Sequence, residues 1–161
     1  MRMLKDLHRL VARVRLFLRF GEEGSNLVEF ALVLPVLIGL ITGIVSLGSA
    51  MMNYESLIHG VAAGAQTLAT IRTSTTNPCA DAFAAFTAAA PTLNTSATGF
   101  TFTVTLNGTA VASTSCAGDQ SLMAQGGSAT VSATYPCNVW IYGFTIAPGC
   151  ELPATVTEYE F

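Results

Sequence analysis

Basic residues are nearly missing from most of this chain. Seven lysines and arginines occur in 161 residues. Six of them (Arg2, Lys5, Arg9, Arg13, Arg15 and Arg19) precede residue 24, and none follows Arg72. A nucleic-acid-binding surface needs a basic footprint to neutralise phosphates, so the distal part of the chain offers none. Histidine is as scarce: His8 lies among the early bases and His59 just past an apolar run. The many serines and threonines of the C-terminal half therefore have no His or Lys nearby in sequence to activate a nucleophile. The cysteines show no CxxC or Cys/His spacing, which argues against zinc. Asp81, Asp119 and Glu151 form no calcium loop. No catalytic set, metal site or cofactor is implied.

Charge of either sign is absent from Phe30 to Tyr54, a stretch of 25 residues. As a helix it measures roughly 37 Å, against about 30 Å of bilayer hydrocarbon. It spans, and Pro35 near its start is tolerable in a membrane helix. Bases before the span and none after it keep the N-terminus cytoplasmic and export the rest. Residues 3–20 carry apolar side chains at Leu4, Leu7, Leu10/Val11, Val14 and Phe17/Leu18, the spacing of an amphipathic helix that can lie on anionic lipid, although a leader whose only requirement is positive charge fits equally well.

The four cysteines (Cys79, Cys116, Cys137 and Cys150) all fall on the exported side. An even count in an oxidising compartment reads as two disulfides, with three possible connectivities. Cys79–Cys116 with Cys137–Cys150 is the expected pairing, because the second bond closes a short local loop.

Past the span, Leu57, Ile58, Val61, Ala65, Leu68 and Ile71 continue the helical spacing, so the same helix is expected to run to about Arg72 and bury one face against a distal domain. Cys79–Ala90 reads as an Ala-rich helix stopped by Pro91. Phe100, Phe102, Val104 and Leu106 alternate with threonines as a half-buried strand. Asn107-Gly108 predicts a tight turn and a returning strand over Thr109–Cys116. Further strands are expected at Ala129–Tyr135, Val139–Phe144 and Thr155–Phe161. Trp140, Tyr142 and Phe144 read as buried strand residues more readily than as a contact stripe. The order is α+β: a long N-terminal membrane-spanning helix continuing into a small head with a short helix and an antiparallel sheet.

Glu29 is the costly residue. An acid at the lip of a membrane segment is unfavourable, by about 2.5–3.5 kcal/mol at a helix centre and less near the edge, and marks a functional site. It stands five places after Gly24. Together with the basic leader and the uninterrupted run, this resembles the prepilin-peptidase site of type IV pilin-like proteins. Gly24 through Pro35 (GSNLVEFALVLP) is similar in particular to the TadE-like pseudopilins of the Flp/Tad pilus and secretion systems. The resemblance implies cleavage between Gly24 and Ser25 by a prepilin peptidase, with Glu29 becoming the fifth mature residue beside Phe30. It implies that Glu29 pairs with the new α-amine of a neighbouring Ser25, a registry device for assembly. Ser25 departs from the Phe common at the first mature position of type IV pilins. Removal of residues 1–24 leaves one base against seven acids, a formal charge of −6.

The division that follows is a cytoplasmic leader at 1–24, a transmembrane helix at 25–54 and an extracytoplasmic head at 55–161. The expected location is the inner membrane, single-pass, with the head periplasmic or extracellular and the subunit entering a fibre. The expected partners are prepilin peptidase, other pilin subunits, the inner-membrane assembly platform and membrane lipid, with no nucleic acid. Gly39/Gly43 and Gly60/Gly64 form two small-xxx-small pairs that fit a bundle of subunit helices, although glycine is also common in membrane helices generally. The head, longer than the short major Flp pilins, favours a minor pilin or pseudopilin. The alternative is a signal-anchored extracytoplasmic binding module in which Gly24 and Glu29 are coincidental. A third reading, cleavage by signal peptidase after Ala50, requires a signal core far longer than usual.

Overall fold

The computed structural model describes residues 22–71, 75–111, 114–117, 119–123 and 125–159. The amphipathic pattern expected over residues 3–20 lies outside them, as does Arg72. Packing divides the chain into two compact units, Met1–Thr42 and Gly43–Phe161.

Helix α1 covers Glu22–Ile71, 50 residues with Pro35 inside. Leucine, alanine and other helix-compatible apolar residues dominate it, and no glycine pair or proline is dense enough to end it. In the first unit every described side chain from Leu27 to Ile38 is exposed. Thr42 satisfies its hydroxyl on its own helix by donating to the carbonyls of Ile38 (2.9 Å) and Gly39 (3.1 Å). Among the described residues α1 is the one helix long and apolar enough to cross a membrane. The fold is α+β with this apolar helix at its N-terminal end.

In the second unit one stripe of α1 is covered. Leu57, Val61, Ala65 and Leu68 are fully buried, at the three-to-four spacing that keeps them on a single face. Helix α2 (Pro78–Ala89) packs against this stripe. Its first turn carries Pro78, and Asn77 caps it by accepting the Ala80 N–H through its side chain. The α1 glycines make the approach possible. A Cβ on Gly60 would sit 2.7 Å from the ring of Phe86 and 3.0 Å from the Ala90 methyl, and one on Gly64 would meet the Ala82 carbonyl at 3.2 Å. Gly60 and Gly64 therefore seat α2 within the head, correcting the expectation that they form a seam between subunits. The stripe extends to Gly43, which lies under the side chain of Ile141.

Four strands complete the core: β1 (Thr101–Leu106), β2 (Thr109–Val111), β3 (Ser128–Pro136) and β6 (Glu151–Tyr159) form an antiparallel sheet in the order β2-β1-β3-β6. Phe102 pairs with Ala133, Val104 with Val131 and Leu106 with Ala129, and all six face inward. Phe83 and Phe86 of α2 meet Phe102 at ring distances of 5.2 and 5.3 Å, both edge-on. The outer face is hydroxylated. Thr101–Thr134 (2.6 Å), Thr130–Thr157 (2.8 Å) and Ser132–Thr155 (3.1 Å) bond side chain to side chain across the strands, each pair contributing roughly 0.2–1 kcal/mol.

Turn chemistry behaves as its residues require. Asn107 (φ 49°) and Gly108 (φ 81°) both take positive φ and reverse the chain between β1 and β2. The returning strand is shorter than the Thr109–Cys116 expected, because Cys116 is drawn to α2 and the strand ends at Val111. Val139–Phe144 is not one strand. Tyr142 (φ 53°) and Gly143 (φ 80°) fold it into a minimal hairpin of β4 (Trp140–Ile141) and β5 (Phe144–Thr145). Trp140, Tyr142 and Phe144 are exposed by 44%, 49% and 75%, which overturns their reading as buried strand residues. The last strand begins at Glu151 rather than Thr155, since Ser128–Pro136 offers nine partners in register.

The disulfides are Cys79–Cys116 and Cys137–Cys150, the pairing expected from the loop lengths. The first joins α2 to the segment beyond β2 over a separation of 37 residues, removing unfolded-state freedom equivalent to roughly 3–4 kcal/mol. Asn77 reinforces it: besides capping α2, its side chain accepts the Cys116 N–H at 2.9 Å and donates to Ser115 Oγ at 3.1 Å.

A side chain added at Gly60 must displace the fully buried Phe86 ring. Gly60→Val is expected to lower the thermal unfolding midpoint of the purified chain, by overpacking of about 1–3 kcal/mol. Gly60→Ala is expected to cost less, because alanine regains about 1 kcal/mol of helix propensity. Unchanged melting of the valine variant by circular dichroism rules out this packing.

Candidate functional site

The residues singled out by sequence at the N-terminal end gather on one element. Gly24 and Ser25 lie in the first turns of α1, and Glu29 follows one helical turn after Ser25. Glu29 and Phe30 are exposed, flanked by the exposed apolar side chains of Leu27, Val28 and Leu32. No lysine or arginine occurs among the described residues, and none of them forms a hydrogen bond or ion pair with Glu29. The chain thus presents a carboxylate in an apolar neighbourhood with no described partner of its own.

Glu29 is thus an acid among apolar neighbours on the exposed surface of α1. A charge in a low-dielectric setting is unfavourable unless paired, and the pair gains most where water is excluded. Pro35 adds a second opening nearby. It has no N–H, so the carbonyl four residues earlier, at Ala31, loses its helical donor. Acid and loosened turn lie within the same segment of α1.

The remaining polar candidates are dispersed. His59 is exposed on the outer side of α1, Asp81 is half-buried in the first turn of α2, and Glu151 is exposed at the start of β6. No group of three His, Cys, Asp or Glu side chains converges among the described residues. One functional-looking residue escaped the sequence reading. Ser46, inside the apolar run, is buried, accepts the Trp140 backbone N–H at 2.8 Å and lies 3.5 Å from the Asn138 carbonyl. The signal available was a hydroxyl in the middle of an uncharged run, which is indistinguishable in sequence from a serine bonded to its own helix.

Comparison with known proteins converges on the same stretch. Residues 24–66 match the family model described as TadE-like protein. Over this stretch, well under half of the chain, the sequence is similar to TadE-like proteins. No curated protein and no solved structure matches the chain. The matched segment begins at Gly24 and ends within the helical stripe that carries the head.

Because Glu29 makes no described contact within the chain, Glu29→Gln is expected to leave thermal unfolding unchanged to within about 0.5 kcal/mol. Melting of wild type and variant side by side in the same detergent checks this. A clearly lowered midpoint assigns the carboxylate to the fold of the subunit instead.

Proposed function

We propose that the chain is a minor pilin or pseudopilin of a Tad-type pilus or secretion apparatus. Prepilin peptidase cuts it after Gly24, residues 25–54 hold it in the inner membrane, and the head at 55–161 stands on the extracytoplasmic side. The observation that carries this reading is the coincidence of the TadE-like match, residues 24–66, with an apolar helix bearing an exposed acid at Glu29.

The chemistry is that of assembly. Cleavage at Gly24 frees the α-amine of Ser25, a cation created at the edge of the membrane. Glu29 of one subunit pairs with the Ser25 amine of its neighbour once both sit in a water-poor environment, and the match sets their register. Phe30 supplies apolar contact beside the pair. The assembly platform then extracts subunits whose membrane helix carries no unpaired charge. Six early bases and a basic-free distal part support a cytoplasmic N-terminus and an exported head.

Expression of wild type and Gly24→Ala with the cognate prepilin peptidase tests the processing step. A mature N-terminus at Ser25, lost in the variant, is expected. An uncut Met1 in wild type, or a start at Met51, favours a signal-anchored or secreted module. Glu29→Ala is expected to be cut normally and to be missing from sheared fibres. Its normal incorporation removes the registry role.

A further inference from the structure

The hairpin β4–β5 is the least water-compatible surface of the head. Between Cys137 and Cys150 there is no charged residue, and Trp140, Tyr142, Phe144 and Ile146 are all exposed. Soluble domains seldom leave so many large apolar side chains together in water, and such patches mark an interaction site. The hairpin is also rigidly held. Its base is closed by the Cys137–Cys150 disulfide and by the hydrogen bonds Cys137 N–H to Cys150 C=O (3.0 Å) and Ile146 N–H to Val139 C=O (2.9 Å).

Its position on α1 identifies the occupant. Ile141 covers Gly43, and the buried Ser46 hydroxyl bonds the Trp140 N–H. Gly43 and Ser46 belong to the uncharged run that ends at Tyr54. Ser46 precedes that end by about eight residues, roughly 12 Å of helix. The run exceeds the hydrocarbon thickness by only about 7 Å, so Ser46 falls in the outer acyl region, about 5–12 Å inside the hydrocarbon edge. The neighbouring α1 side chains Ile44, Val45, Leu47, Met51 and Met52 are exposed as well. Helix and hairpin thus both expose large apolar side chains beside their contact at Gly43 and Ser46, and the first charges beyond them in sequence are Glu55 and Glu151.

We propose that this hairpin is a membrane foot: Trp140, Tyr142 and Phe144 insert into the headgroup and upper acyl region of the bilayer, fixing the depth and tilt of the head before the subunit is extracted. Tryptophan and tyrosine favour this layer because their rings are apolar at one end and hydrogen-bonding at the other. Ser46 serves as the bracket, a small hydroxyl that ties the hairpin backbone to the helix where a larger residue would hold it away. The inference rests on the anchoring reading of α1, and adds that the head touches the same bilayer.

Trp140 is the chain's single tryptophan and reports on its own surroundings. The full-length chain is reconstituted in vesicles of phosphatidylethanolamine and phosphatidylglycerol, with or without acyl chains brominated near the headgroup end. Vesicle flotation is scored in parallel. The expected result is co-flotation, loss of most Trp140 emission in brominated lipid, and little quenching by aqueous iodide. Phe144→Asp is expected to float equally well while losing bromine quenching and gaining iodide quenching. Co-flotation with iodide-accessible, bromine-insensitive Trp140 overturns the foot and leaves the anchor standing. Emission shielded from both quenchers means that a second copy or another protein surface covers the hairpin, and also overturns it. Failure to float removes the anchoring reading itself.

Discussion

The head is organised by the closeness with which other elements approach one face of α1. Gly60 and Gly64 remove the side chains that would hold α2 away, and Phe86 fills the space so created. Leu57, Val61, Ala65 and Leu68 continue the contact on either side. The sheet then lays Phe102 on the α2 rings of Phe83 and Phe86, while Val131 reaches α1 beside Gly64. Small residues on a helix face usually invite association between chains. In this head Gly60 and Gly64 are used up internally.

Two covalent ties preserve this arrangement where packing is thin. Cys79–Cys116 closes the segment after the short β2 onto the start of α2, with Asn77 joining the helix cap to the same loop. Cys137–Cys150 closes the base of the aromatic hairpin. A small domain buries little surface per residue, so such ties compensate for a limited core. Such bonds persist in oxidising compartments.

Helix α1 thereby carries two unlike surfaces. Toward its N-terminal end, all described side chains from Leu27 to Ile38 are exposed and apolar apart from Glu29. From Gly43 onward one stripe is sealed by the head while neighbouring positions such as Ile44 and Met51 remain open. The TadE-like match runs across both, from Gly24 to residue 66. Glu29 belongs to the first of these two stretches.

Periodicity and composition alone determined the long helix, its end near Ile71, and the sheet strands at Phe102 and Val131, while the cysteine count implied two disulfides whose connectivity the tertiary structure decided. Those elements are consequences of local spacing: three-to-four repeats, alternation with threonine and an Asn-Gly turn. The likeness of Gly24–Pro35 to TadE-like proteins was equally legible, because it resides in contiguous residues. The destination of Gly60 and Gly64 was not, since a glycine records only that a side chain is missing and not what approaches. Nor was the fate of Trp140, Tyr142 and Phe144. Alternation predicted a buried strand, but positive φ at Tyr142 and Gly143 turned the segment into a hairpin whose rings face outward. Only the tertiary structure brought that hairpin to Ser46, because a hydrogen bond across more than ninety residues leaves no trace in local pattern.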